Sequence, residues 1–265
     1  MTADLPQPSA AGTDAADRGL QVASLRFADV SLVFPDGTHA LDGVSFDVRA
    51  GEFVTIVGPS GCGKSTCLRL ASGLLRGHTG QVDVADAANI GYVFQDATLL
   101  PWRSVQKNVE LFGELHGLDK ATCKRRARET IELVGLQGFE RSYPKRLSGG
   151  MRMRVSLARS LLLNPRLFLF DEPFGALDEI TRERLNVELL NLFLHERFAG
   201  LFITHSISEA VFLSTRVLVM SARPGRIIGS FDVPFAYPRP DELRFDPQFA
   251  ALSGSIARAL KEAHA

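Results

Sequence analysis

The stretch Phe53 to Thr66, "FVTIVGPSGCGKST", narrows the fold more than any other part of the 265-residue chain. Five uncharged residues run into a glycine-rich turn that ends in Lys-Ser-Thr. The dense run predicts a central parallel strand covered on both faces. Gly58, Gly63, Lys64 and Ser65 fit G-x-x-x-x-G-K-[ST]. In that pattern glycines let backbone N–H groups turn inward on phosphate oxygens, the lysine adds a point charge, and the serine hydroxyl can ligate Mg²⁺. A plain glycine turn would leave Lys64 and Ser65 without a reason. Gly58, Pro59, Ser60, Gly61, Cys62, Gly63, Lys64, Ser65 and Thr66 are therefore the candidate phosphate cradle. It opens a helix from Gly63 that carries Cys67, Leu68, Leu70 and Ala71 and stops by Gly73. Cys62, inside the cradle, is expected to react with a bulky thiol reagent and to be protected by a bound nucleotide.

Further apolar strands follow in "RLFLFDEP", "GLFITHS" and "RVLVMS", with a long helix from about Asp178. Such alternation argues an α/β fold built on a parallel sheet. Before the cradle, Val22 to Val57 is β-like, with a turn at Asp36-Gly37 and half-buried alternation in "VSFDV", so an antiparallel β subdomain is expected. "GQVDVADAANIGYVF" returns to strands. From Ser104 to about Pro165 three segments each open on Ser or Asp and close on Gly or Asn-Pro, which is the punctuation of helices. The expected division is a core over 23–95 and 163–230, an inserted helical subdomain over 96–162, and an extension over 231–265 that ends in one amphipathic helix. Residues 1–22 have neither a basic start nor an apolar run of signal-peptide length, and their small and polar composition predicts a disordered tail.

Thirty basic residues balance thirty acidic ones, so no global field steers the chain onto nucleic acid or an anionic membrane. Any charged ligand must be held locally. Cys62, Cys67 and Cys123 form no disulfide framework and show no zinc spacing, which suits a reducing cytosol. No uninterrupted run of about eighteen apolar residues occurs, so a role at a membrane would need another chain to span it.

Asp171 and Glu172 end an apolar strand, where ligands of parallel sheets gather. On an extended chain neighbours point to opposite sides, so the two acids are expected to divide duties. Asp171 would stand in the Mg²⁺ shell and Glu172 on an attacking water. His205, after "LFIT", could reach a γ-phosphate; Gln95, in "GYVFQD", read alone, is a buried amide satisfying backbone groups. "LSGGM" supplies a second anion-binding helix start: Ser148 caps, and Gly149 and Gly150 leave N–H groups uncovered. One phosphate has room for only so many donors, so the second cradle is read as serving another subunit's nucleotide.

The ordered set "GPSGCGKST", "FQ", "LSGGM", "LFLFDEP", "GALD" and "ITH" resembles the ATP-binding subunit of ABC transporters from about Ala23 to Gly229. The resemblance implies a head-to-tail homodimer of cassettes with two ATP molecules at the joint. Gly58 to Thr66 would hold one ATP, while Ser148, Gly149 and Gly150 close on the partner's. Gln95 would link the γ-phosphate, Mg²⁺ and water to a transmembrane permease, Glu172 would polarise the water, and His205 would hold the γ-phosphate. Asp178 would communicate across the joint, and Phe34 would stack on adenine. Met151 stands where the family commonly has Gln and Met153 where it is often polar, which removes possible polar contacts near the partner's nucleotide.

"FQDATLLPWRSVQKNV" and "ITHSISEAVFLSTRVLVMSARPGRI" resemble the importer branch for nitrate, taurine and other sulfonates, bicarbonate or thiamine precursors. That implies a peripheral protein on the cytoplasmic face of the inner membrane, with a solute-binding protein outside that never touches the ATPase. Leu99, Leu100, Pro101 and Trp102 are a candidate groove for a permease helix. "RPGR", Arg223 to Arg226, reads as a turn with no chemistry, and "KRRAR", Lys124 to Arg128, as a solvated helix face. The competing readings are an exporter's ATPase, a soluble cassette acting on DNA or ribosomes, and a P-loop kinase. The second lacks the expected coiled-coil insertion or basic excess, and the third has little use for "LSGGM".

Overall fold

The strand that feeds the cradle, β3 (Phe53–Val57), has all five side chains buried. A computed structural model describes residues 23–262, so the expected tail over 1–22 lies outside the described residues. Around β3 the chain runs through β1 (Ala23–Val33), β2 (His39–Arg49), α1 (Lys64–Ala71), β4 (Thr79–Val84) and β5 (Ile90–Val93). Helices α2 (Val105–Leu115), α3 (Lys120–Leu133) and α4 (Gly149–Leu161) come next. Then follow β6 (Leu167–Asp171), α5 (Glu179–Glu196), β7 (Ala199–Ile203), α6 (Ile207–Leu213), β8 (Arg216–Met220), β9 (Ile227–Asp232) and α7 (Pro247–Glu262).

A six-stranded sheet takes the order β5-β6-β7-β3-β8-β9. Its strands are parallel except β9, which returns antiparallel along β8. Successive side chains of a strand alternate between faces, and this alternation assigns two cores. Val54, Ile56, Leu167, Leu169, Leu201 and Ile203 pack with α1 and a separate antiparallel sheet of order β2-β1-β4. On the opposite face lie Phe53, Phe168, Phe170 and Phe202, packed with α4, α5, α6 and α7. Rings of Phe53, Phe168, Phe170, Phe193, Phe198 and Phe202 meet there at centroid separations between 4.4 and 6.3 Å. Each such pair adds about 0.5–1.5 kcal/mol beyond its buried area. Two strand glycines make the room: a Cβ on Gly91 would stand 2.6 Å from the Phe168 ring, and one on Gly200 would stand 2.8 Å from Phe53.

Between β5 and β6 the chain leaves the sheet to form α2, α3 and α4. Ser104, Asp119 and Ser148 cap them, each side chain accepting from an N–H of the first turn. Buried Asn108 ties the entry loop down by accepting from the Leu100 N–H and donating to the carbonyls of Leu100, Arg103 and Ser104. Beyond β9, α7 buries Phe249 and Ile256. Buried Arg239 donates to the carbonyls of Val211, Phe212 and Phe235, which fastens this extension to the end of α6.

Candidate nucleotide site

The turn between β3 and α1 is shaped by left-handed glycines, with φ of 76° at Gly61 and 112° at Gly63. At that φ a side chain on Gly63 would be strained, and its Cβ would also stand 3.0 Å from the Ala40 carbonyl and 2.7 Å from the Leu41 side chain. Lys64 is buried, and its Nζ donates to the carbonyls of Gly58 at 2.8 Å and Pro59 at 2.9 Å. Ser65 Oγ donates to Asp171 Oδ1 at 2.7 Å. A cavity of about 440 Å³ opens over this turn, lined by Phe34, Ser60, Lys64, Ser65, Gln95 and Glu172 among others.

Asp171 closes β6, but Glu172 has left the strand with φ of 46°. The expectation of two extended neighbours facing opposite ways is corrected here: the acids diverge because Glu172 turns into the left-handed region. Its N–H donates to the Ile203 carbonyl at 3.1 Å, and its Oε2 lies 3.3 Å from His205 Nδ1. A Cβ on Gly175 would stand 3.7 Å from both Glu172 Oε2 and Gln95 Nε2, so carboxylate and amide converge beside this glycine.

Two contributors escaped the sequence reading. Tyr92 donates to Asp171 Oδ2 at 3.4 Å, and burial together with the Asp171 carboxylate pushes its pKa up. Arg223 lines the cavity and donates to the Gly61 carbonyl through Nε at 3.2 Å and Nη2 at 2.8 Å. A Cβ on Gly225 would come within 2.2 Å of the Cys62 carbonyl. The "RPGR" turn is thus the buttress of the cradle rather than a bare connection. Its arginine was legible in sequence only as part of that motif.

Cys62 corrects the labelling expectation. Its thiol lies 1 % exposed in the core under the cradle, and burial pushes its pKa up. Thiolate character and access govern cysteine reactivity, so labelling is expected to be slow with or without ATP. Ellman's reagent on the native chain checks this, and fast, ATP-protected labelling of Cys62 would overturn it.

Ser148, Gly149, Gly150 and Asp178 do not line the cavity of their own chain. Ser148 Oγ accepts from the Met151 N–H at 3.2 Å. The glycine pair also has an intrachain reason that the sequence reading lacked. A Cβ on Gly149 would stand 2.9 Å from Leu177, and one on Gly150 would stand 3.0 Å from Thr181, so both let α4 approach the start of α5. Asp178 caps α5, and the N–H and hydroxyl of Thr181 hold its carboxyl below the usual carboxylate range. Met153 is 6 % exposed and belongs to the core, which corrects its expected place near a partner's nucleotide.

The residues fit a nucleotide and its cation on structural grounds. One hydroxyl and one carboxylate, already 2.7 Å apart, match the sparse protein set that Mg²⁺ uses when phosphates and waters supply its other ligands. A strand, a glycine turn with a buried lysine, and two acids at the neighbouring strand's end define a P-loop ATPase. A family model described as ABC transporter matches residues 41–175. The chain is 44 % identical over 233 residues to a taurine import ATP-binding protein, TauB, from Rhizobium johnstonii, covering 84 % of this chain and 89 % of that one. It is 43 % identical over 208 residues to an aliphatic sulfonates import ATP-binding protein, SsuB, from Bacillus cereus, covering 76 % and 81 %. Among solved structures, a dimeric ATP-binding cassette in a post-hydrolysis state with ADP and Pi superposes with a TM-score of 0.69 at 28 % identity. That match covers 80 % of this chain and 100 % of the other. The chain belongs to the ABC transporter family and is an ATP-binding, ATP-hydrolysing subunit of that class.

Proposed function

We propose that the chain works as one of two cassettes that energise import of a small organic sulfonate. The ATP of each would lie on Gly58–Thr66, with Phe34 against the adenine, and be closed by Ser148, Gly149 and Gly150 of the other copy. Lys64 and the loop N–H groups hold the phosphates; Ser65 and Asp171 hold Mg²⁺, which screens phosphate charge when bound. Gln95 orients the water, Glu172 accepts its proton, and His205 holds Glu172 from the far side and faces the γ-phosphate. The observation that carries this reading is that Ser65, Gln95, Asp171 and Glu172 line one cavity, with His205 outside its lining and joined to it through Glu172 Oε2 at 3.3 Å. The sulfonate class rests on the relatives' names.

The membrane partner belongs to the same proposal. Among the described residues no helix is long and apolar enough to cross a membrane. Residues 96–162 would move as one helical subdomain and offer the permease a face. Trp102 is 71 % exposed and Leu115 71 % exposed, and the Arg103–Glu114 pair at 2.7 Å draws their segments together. A groove between helices and core is lined by Leu74, Phe94, Phe112, Leu115 and Leu163, and not by Leu99, Leu100, Pro101 or Trp102, the residues expected to form one. The chain would sit on the cytoplasmic face, with a solute-binding protein serving the permease from outside and no nucleic acid involved.

Light scattering of Glu172→Gln with Mg-ATP tests the cross-joint site. Dimers are expected, and adding Ser148→Arg is expected to abolish them. Ser148→Ala removes the cap, at about 1 kcal/mol, without adding bulk, and should still dimerise. A dimer that survives Ser148→Arg would sink the cross-joint assignment.

A further inference from the structure

Arg159 on α4 is 4 % exposed, yet no carboxylate among the described residues pairs with it. Burial alone acts on its pKa, downward. An apolar side chain would fill such a position without the desolvation penalty of a charge, so the guanidinium needs a reason. Its terminal nitrogens donate to the Ala97 carbonyl at 3.0 Å, the Thr98 carbonyl at 3.0 Å and Thr98 Oγ1 at 3.1 Å, with a longer contact to Ser156 Oγ at 3.4 Å. Its Nε has no partner, and its plane lies 5.4 Å from the centre of the Phe112 ring. The fork therefore grips one loop.

That loop needs a grip. Thr98 has φ of 45°, a region a β-branched residue enters only under constraint. The next residue of α4, Ser160, donates through Oγ to the Tyr92 carbonyl at 2.9 Å. Arg159 and Ser160 thus clamp the chain on both sides of Gln95, at Tyr92 before it and at Ala97 and Thr98 after it. The same helix opens at Ser148. We propose that Arg159 is a positioning residue that fixes Gln95, so that the helix starting at Ser148 and the amide facing Glu172 move together. This rests on the reading of Gln95 given above.

A kinetic cycle on the full-length chain tests it, with Arg159→Gln, Gln95→Ala and the double variant compared in Mg-ATPase assays. Arg159→Gln is expected to lower kcat about tenfold while ATP KM changes less than about twofold, as misplacement of an orienting group would do. In the Gln95→Ala background the same change should cost no further activity, because residues acting as one unit are non-additive. If Gln95→Ala lowers kcat but the Arg159→Gln loss multiplies with it, Arg159 does not act through Gln95 and this proposal fails alone. If Gln95→Ala leaves kcat unchanged, the reading of Gln95 fails and this proposal with it. Should Arg159→Gln not fold, Arg159→Lys keeps the charge but gathers its donors on a single nitrogen; it must show a smaller kcat loss with the same coupling to Gln95, and independence from Gln95 would again overturn the assignment.

Discussion

Glu172→Gln is expected to lower kcat for ATP hydrolysis about a hundred- to ten-thousand-fold, the range for loss of a positioned proton acceptor. Measured ATP affinity should stay close to that of the unaltered chain. The amide keeps the shape of the carboxylate and the backbone turn with φ of 46°, so the neighbouring Asp171–Ser65 contact has no cause to move. What is lost is basicity at the carboxylate whose Oε2 lies 3.3 Å from His205 Nδ1. ATP would then remain uncleaved at the joint, and closed dimers would accumulate. A variant with undiminished turnover would remove Glu172 from the role of base, whatever its geometry.

Lys64→Ala is expected to weaken ATP binding about ten- to a hundredfold, since a charge-assisted hydrogen bond contributes roughly 1.5–3 kcal/mol. Titration with a fluorescent ATP analogue reads this directly. The ammonium also donates to the carbonyls of Gly58 and Pro59, and the variant leaves both without it. A fall in thermal stability of the nucleotide-free chain should accompany the loss of affinity. Unchanged affinity would mean that the loop N–H groups and Mg²⁺ carry the phosphates without the lysine. The two substitutions would separate binding from chemistry, because one removes the charge proposed to face phosphate and the other the proposed base.

Much of the fold was legible because its signals are local. Five uncharged residues at Phe53–Val57 required a strand covered on both faces, and the glycine pattern after them required a turn into a helix. Caps at Ser104, Asp119, Ser148 and Asp178 stood where the helices begin. The rest depended on which distant segments meet. Tyr92 reaches Asp171 only because β5 and β6 are neighbours, and Arg223 reaches Gly61 only because the turn after β8 folds over the cradle. Glu172 departs from the extended geometry because the strand ends one residue before it. Gly149 and Gly150 were read for what they leave open, whereas their chain also uses them for close approach to Leu177 and Thr181. Cys62 and Met153 face the core because position along a motif says where a backbone runs and not which way a side chain turns.

The exchange of glycine for aromatic volume inside the sheet governs how this protein can change over generations. With Phe168 in place even a methyl group at Gly91 is shut out, and Gly200 is held in the same way by Phe53. Shrinking a ring alone would open a void in a close-packed interior. Either single step is therefore penalised, while a paired step, a smaller residue at 168 with a larger one at 91, preserves volume. β5 leads directly to Gln95, so drift at those two positions is confined to coupled moves by the same steric lock that keeps the loop's starting point fixed.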